Sequence, residues 1–125
     1  MKKISLLIAI TFSIALLISW TSESGVHVGD KAPTFNLKNT DGKLVDLNSY
    51  KTEGAIVIFT CNHCPYSKAY EDRVIALQDK YANNYPVIAI NSNDPTNYPE
   101  DSFEGMVRQA KLKNYHFPYL HDESQ

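Results

Sequence analysis

The chain has 125 residues, 43% hydrophobic and 21% charged, with a formal charge of −2. That composition is ordinary for a globular protein, and the length suits one domain and no more. With no basic block, it gives no reason to expect nucleic acid as a partner.

The chain opens with a targeting pattern. Met1-Lys2-Lys3 is basic, Ile4 to Ile18 is uncharged and mostly apolar, and small polar residues dominate from Ser19 to Gly25. At ~1.5 Å per helical residue the apolar run reaches about 22 Å, short of a hydrocarbon core of about 30 Å. Residues 1–24 therefore read as a bacterial secretory signal, with retention as an N-terminal membrane anchor as the alternative. Such an anchor is the one membrane contact expected. Either way the domain, residues 26–125, is expected outside the cytoplasm, in the periplasm or cell envelope, where disulfides persist.

Phe35-Asn36-Leu37 and Leu44-Val45-Asp46 alternate, and Asn39-Thr40-Asp41-Gly42 between them has turn chemistry, which predicts an antiparallel entry unit. Ala55 to Phe59 is continuously apolar and rich in β-branched residues, and suits a central strand covered on both faces. After it, Tyr66, Tyr70, Val74, Leu77 and Tyr81 recur at helical spacing and predict the buried face of a helix. Pro65 fits its first turn, where N–H groups lack intrahelical partners. Asn83-Asn84 ends it, and Pro86-Val87-Ile88-Ala89-Ile90 is the next buried strand. Strand, helix and strand predict a parallel βαβ unit. Asn91 to Glu100 is a polar loop. Asp101 and Glu104 have the form of a capping box, with Asp101 as N-cap. Phe103, Met106, Val107 and Ala110 mark the buried face of a second helix, which Gly105 weakens by roughly 1 kcal/mol. Phe117 to Leu120 reads as a short strand, and His121 to Gln125 as a turn.

The only two cysteines fall between the first strand and the first helix, in Cys61-Asn62-His63-Cys64-Pro65. A Cys-x-x-Cys pair there can open and close a disulfide with little backbone movement. The helix start favours a thiolate, expected at Cys61 as the sulfur nearer that start and the more exposed. Cys64, held a few ångströms away, would resolve a mixed disulfide in an effectively unimolecular step. A static disulfide and a metal site are the other readings. The first closes too small a loop to constrain much chain entropy. The second has Cys61, His63 and Cys64 where a structural zinc site needs four ligands. His63, if protonated, would favour the Cys61 thiolate and make the couple more oxidising. Pro65 and Asn62 complete the set of site-tuning residues, Pro65 by shaping the first turn and shielding Cys64. Tyr66 is read as core more than as substrate rim, and the loop with Tyr98 as surface. His27, His116 and His121 assemble no site.

Together these residues resemble the redoxin branch of the thioredoxin superfamily, the alkyl hydroperoxide reductase/thiol-specific antioxidant type, and especially its secreted members. The matching stretches are Gly29 to Phe35, Phe59 to Lys68, Ala89 to Asp94, Tyr98 to Ser102 and Phe117 to Leu120. The resemblance implies a thioredoxin-like α/β fold of three layers, a parallel or mixed sheet flanked by helices. It implies Cys61 as attacking and Cys64 as resolving cysteine, no metal or other cofactor, and protein thiols or disulfides together with a redox partner as what the pair meets. Thr60 departs from the Trp that thioredoxins usually carry. The family fold also continues past Gln125, with a further helix, a hairpin opened by a cis-proline and a closing helix, so the domain is expected to be C-terminally incomplete. Two rival functions remain open. A peroxiredoxin-like thiol peroxidase has Pro and Thr before its cysteine; superposed on Cys64, those positions hold Val57 and Cys61, although Cys61 itself could be peroxidatic. A thioredoxin-like module that binds without turnover is the other.

Overall fold

The computed structural model describes residues 25–50 and 52–124. The leader expected at residues 1–24 lies outside them. None of the described helices is long and apolar enough to cross a membrane. The chain divides into two units, Met1–Ala32 and Pro33–Gln125. The described end of the first is a turn. Asp30 accepts from the His27 backbone N–H at 2.8 Å, and Gly29 takes a φ of 97°.

The second unit is built on a mixed five-stranded sheet. Its strands are β1 (Asn36–Asn39), β2 (Leu44–Asp46), β3 (Ile56–Phe59), β4 (Val87–Asn91) and β5 (Tyr119–His121), in the order β2-β1-β5-β4-β3. The entry unit forms as its alternation predicts, with β1 and β2 antiparallel and Leu37 opposite Val45. Gly42 closes their turn at a φ of 86°, where a Cβ would be strained. β3 and β4 run parallel, Ile58 opposite Ala89, and β4 and β5 run parallel, Ile90 opposite Leu120. The first crossover carries α1 (Pro65–Tyr81) and the second carries α2 (Phe103–Leu112).

β4 is the buried centre, with every residue from Val87 to Asn91 buried. Its alternating side chains feed two cores. Val87 and Ala89 pack with Tyr119, Phe117 and Met106, under Val74 and Leu77 of α1 and Ala110 of α2. Ile88, Ile90 and Leu120 face the other way, against Phe35, Leu37, Val45 and Leu47. Both α-helices thus cover one face; among the described residues the other is met by loop residues and the 3-10 helix Leu47–Ser49.

Four expectations are corrected. The run Ala55 to Phe59 supplies strand β3, which among the described residues pairs with β4 alone and is not covered on both faces: Val57 is 39% exposed and Phe59 73%. The aromatic part of the α1 stripe is also outside the core, with Tyr66 80% and Tyr70 54% exposed. Only Val74 and Leu77 of that stripe reach the core around β4, so the helical period holds while the surface it meets is shorter than the stripe. Thirdly, Ser102 and not Asp101 caps α2. Its hydroxyl accepts from the Gly105 N–H at 3.2 Å and donates to the Pro99 carbonyl at 2.7 Å. Gly105 is there for room: a Cβ would collide with the Glu100 carbonyl. Finally, His121 is no turn residue. It is buried within β5, opposite Lys38 of β1 and Asn91 of β4.

Candidate active site

β3 ends at Phe59, and the Thr60 N–H still pairs with the Ile90 carbonyl at 2.9 Å. The chain then leaves the sheet for four residues before α1 begins. Cys64 is the N-cap of α1, with Pro65 at the first helical position, which needs no N–H. Pro65 is solvent-exposed. Both cysteines are free thiols, and both are half-buried, so Cys61 is not set apart by exposure.

The helix start therefore favours the other sulfur from the one expected. The backbone N–H groups of Ser67 and Tyr66 hold the Cys64 thiol below its ordinary range, helped by the Ser67 hydroxyl and Cys61 and opposed by burial. Cys61 lies three residues before the cap. Its Sγ is 3.4 Å from Ser67 Oγ, so one hydroxyl touches both sulfurs. Ser67 had no signal of its own in the sequence beyond its place one turn into the helix.

Asn62 is buried and works as a bolt. Its N–H donates to Asp101 Oδ1 at 2.5 Å, its Nδ2 to the Glu100 carbonyl at 2.7 Å, and its Oδ1 accepts from the Tyr119 hydroxyl at 2.9 Å. His63 is not a solvated loop residue. Its Nδ1 is 2.5 Å from Asp101 Oδ2, and its ring stacks on Tyr98 with centroids 3.7 Å apart and planes 11° from parallel. The Tyr98 loop, read as surface, thus forms one wall of the site.

Asp101 is the residue that sequence reasoning misplaced. It is 0% exposed, at the end of the 3-10 turn Pro99–Asp101 that leads into α2. Asn62 N–H and Asn91 Nδ2 donate to Oδ1; His63 Nδ1 and Asn93 Nδ2 meet Oδ2. Burial alone would raise this carboxyl. The bonds from Asn93, Asn62, His63 and Asn91 outweigh it and hold the group below the usual carboxylate range. Asp101 is thus a buried carboxylate, saturated by four donors. Tyr119 beside it is pushed far upward, mainly by burial, and stays a neutral donor. Cys61, His63 and Asp101 bring a sulfur, a ring nitrogen and a carboxylate oxygen within 4.8 Å of one another. His63 Nδ1 and Asp101 Oδ2 already bond each other, and the trio reads as a hydrogen-bonded cluster.

Two free thiols on a strand-to-helix junction, in a mixed sheet with parallel crossovers, define a thioredoxin-like protein. The AhpC/TSA family model matches residues 28–125, and the chain belongs to that family. It is similar to an uncharacterized conserved protein from Geobacillus kaustophilus: 41% identity, TM-score 0.75, covering 79% of this chain and 54% of that one. It is also similar to a hypothetical protein from Sinorhizobium meliloti: 33% identity, TM-score 0.75, covering 82% and 57%. A thioredoxin-family thiol:disulfide interchange protein from Chlorobium tepidum shares the fold at 19% identity, TM-score 0.64, covering 78% and 63%. The chain thus spans little more than half the length of the first two. No curated protein matches it.

Proposed function

We propose that this chain carries the redox centre of an extracytoplasmic thiol–disulfide oxidoreductase, in which Cys61 and Cys64 cycle against protein thiols and disulfides. The observation that carries this is the pair itself: two free thiols that share the Ser67 hydroxyl at the mouth of α1. Cys61 attacks and Cys64 resolves. That order rests on the family resemblance; the depressed Cys64 thiol runs against it, and trapping decides between the two orders. The thiol:disulfide interchange protein of Chlorobium tepidum supports the same chemistry by likeness of fold. The basic and apolar leader supports export, whether it is cleaved or kept as an anchor.

Trapping tests the reading. Cys64→Ser incubated with oxidised glutathione should accumulate a mixed disulfide on Cys61, seen by mass spectrometry. Cys61→Ser should accumulate little. Equal trapping by both variants would remove the fixed order. Hydrogen peroxide consumed at micromolar concentration without thiol exchange would support a peroxidase, and titratable thiols with neither activity would support a binding module.

A further inference from the structure

We propose that Asp101 is a positioning residue of the thiol chemistry: it holds His63 with Nδ1–H toward its own carboxylate, so that Nε2 exchanges a proton with Cys61. This rests on the reading that Cys61 is the attacking sulfur.

The tautomer follows from the hydrogen bonds. An ionised carboxylate only accepts, so at 2.5 Å the proton must lie on His63 Nδ1. Oδ1 is occupied by two other donors and Oδ2 by one, so the carboxylate cannot turn away from the ring. The stack on Tyr98 fixes the ring plane. Nε2 then carries the lone pair. One of the two ring nitrogens lies within 4.8 Å of Cys61 Sγ, which sets the ring beside the sulfur; the path from Nε2 to Cys61 then runs through water or a χ1 turn of Cys61. The titratable groups facing this pair are Cys64 in the same loop, Asp101 and Tyr98 before α2, and Tyr119 on β5.

The steps balance. Cys61–SH passes its proton to His63 Nε2, leaving a thiolate beside an imidazolium paired with Asp101. The thiolate attacks a disulfide R–S–S–R′; the Cys61–S–S–R bond forms, and R′–S⁻ leaves and takes the proton back as R′–SH. Cys64 as thiolate then attacks the Cys61 sulfur, closing Cys61–Cys64 and releasing R–S⁻, which takes up the proton that Cys64 gave up. The substrate disulfide gains two electrons and the cysteine pair loses two. Without His63, the same carboxylate would stand as a bare negative charge within 4.8 Å of the sulfur and oppose the thiolate. Asp101 thus helps Cys61 only through the ring.

The test uses the full chain with Cys64→Ser, so that Cys61 is the one thiol. The rate of iodoacetamide alkylation is followed against pH, alone and with Asp101→Asn, His63→Gln or both. Asp101→Asn should move the half-maximal pH upward, with a loss of several fold near neutrality that vanishes in alkali. Added to His63→Gln, it should raise the neutral rate or leave it unchanged. A loss equal at all pH values, or an equal loss with and without His63, would overturn the proposal. If Asp101→Asn does not fold, 15N NMR of labelled histidine in the parent protein decides: protonated Nδ1 with titrating Nε2 supports it, and an Nε2–H tautomer overturns it. Alkylation needs no turnover. A shifted profile with no trapping in the glutathione assay would leave the dyad standing and remove the exchange function; trapping with an unshifted profile would do the reverse.

Discussion

The two sides of the cysteine loop are finished to different degrees. On one side Asn62, His63, Tyr98 and Asp101 form a network in which each oxygen of the buried carboxylate meets two nitrogen groups. On the other, Phe59, Tyr66 and Tyr70 are exposed and line an apolar groove with Val74, Tyr115 and Phe117. Polar groups leave water only when their partners are present. Apolar groups carry no such condition, and wait for whatever area is offered. The network therefore reports what this chain completes for itself. The groove marks a surface that it does not cover among the described residues.

The contrast is broken most directly at Asp101. Asp101→Ala strands several buried donors at once and should destabilise the chain by about 3 kcal/mol. Urea unfolding measures this as a lower midpoint. The carboxyl also sets an acid limit. Its folded value lies below the unfolded one, so its contribution is full above about pH 4 and is lost as the pH falls through the folded value. Stability against pH should therefore fall in acid for the parent and more shallowly for Asp101→Asn. Equal acid slopes would mean that Asp101 is not the group being protonated.

Next in size is His63→Ala. The imidazolium favours the thiolate and hence the reduced form, so its loss should make the pair more reducing by ~30 mV, about 1.4 kcal/mol for two electrons. Equilibration in glutathione buffers measures this; an unchanged or more oxidising couple would contradict it. Tyr98→Ala removes one stacked ring and should cost about 0.5–1 kcal/mol, read from the same urea curves. The smallest effect belongs to the open side. Phe59→Ser should change stability by no more than about 0.5 kcal/mol, while lowering hydrophobic-dye binding and self-association. A cost as large as that of Asp101→Ala would show that the groove is packed in solution and that the two sides do not differ.

This split also marks what could be read from the residues alone. The β1–β2 unit, the parallel βαβ unit and the Cys-x-x-Cys junction were legible because each is set by local pattern: alternation, helical period, or turn and cap residues. The exposure of Val57 and Phe59 on β3 was not. An apolar run records what a strand is suited to touch, and the topology decides whether it is touched; the same holds for Tyr66 and Tyr70. Asp101 was missed for a related reason. An acidic residue just before a helix is a good cap by local rules, and nothing nearby in sequence tells that Ser102 takes that duty while Asp101 turns inward. Its partners Asn91 and Asn93 were visible only as part of a polar loop. The comparison with Gly105 is instructive: its cost to the helix was readable, and its reason, the Glu100 carbonyl where a Cβ would sit, was not.

The bonds that organise the loop also have a consequence in time. Asn62 and His63 reach Asp101 across 39 and 38 positions of sequence, and Tyr119 reaches Asn62 across 57. Each contact rewards folding only after a long loop has closed, so these come late relative to the local turns of α1. During synthesis from the N-terminus, both cysteines emerge well before Asp101 and Tyr119. Cys64 thus meets the N–H groups that set it apart as soon as the first turn of α1 forms, whereas the surroundings of Asn62 and His63 wait for Asp101 and Tyr119.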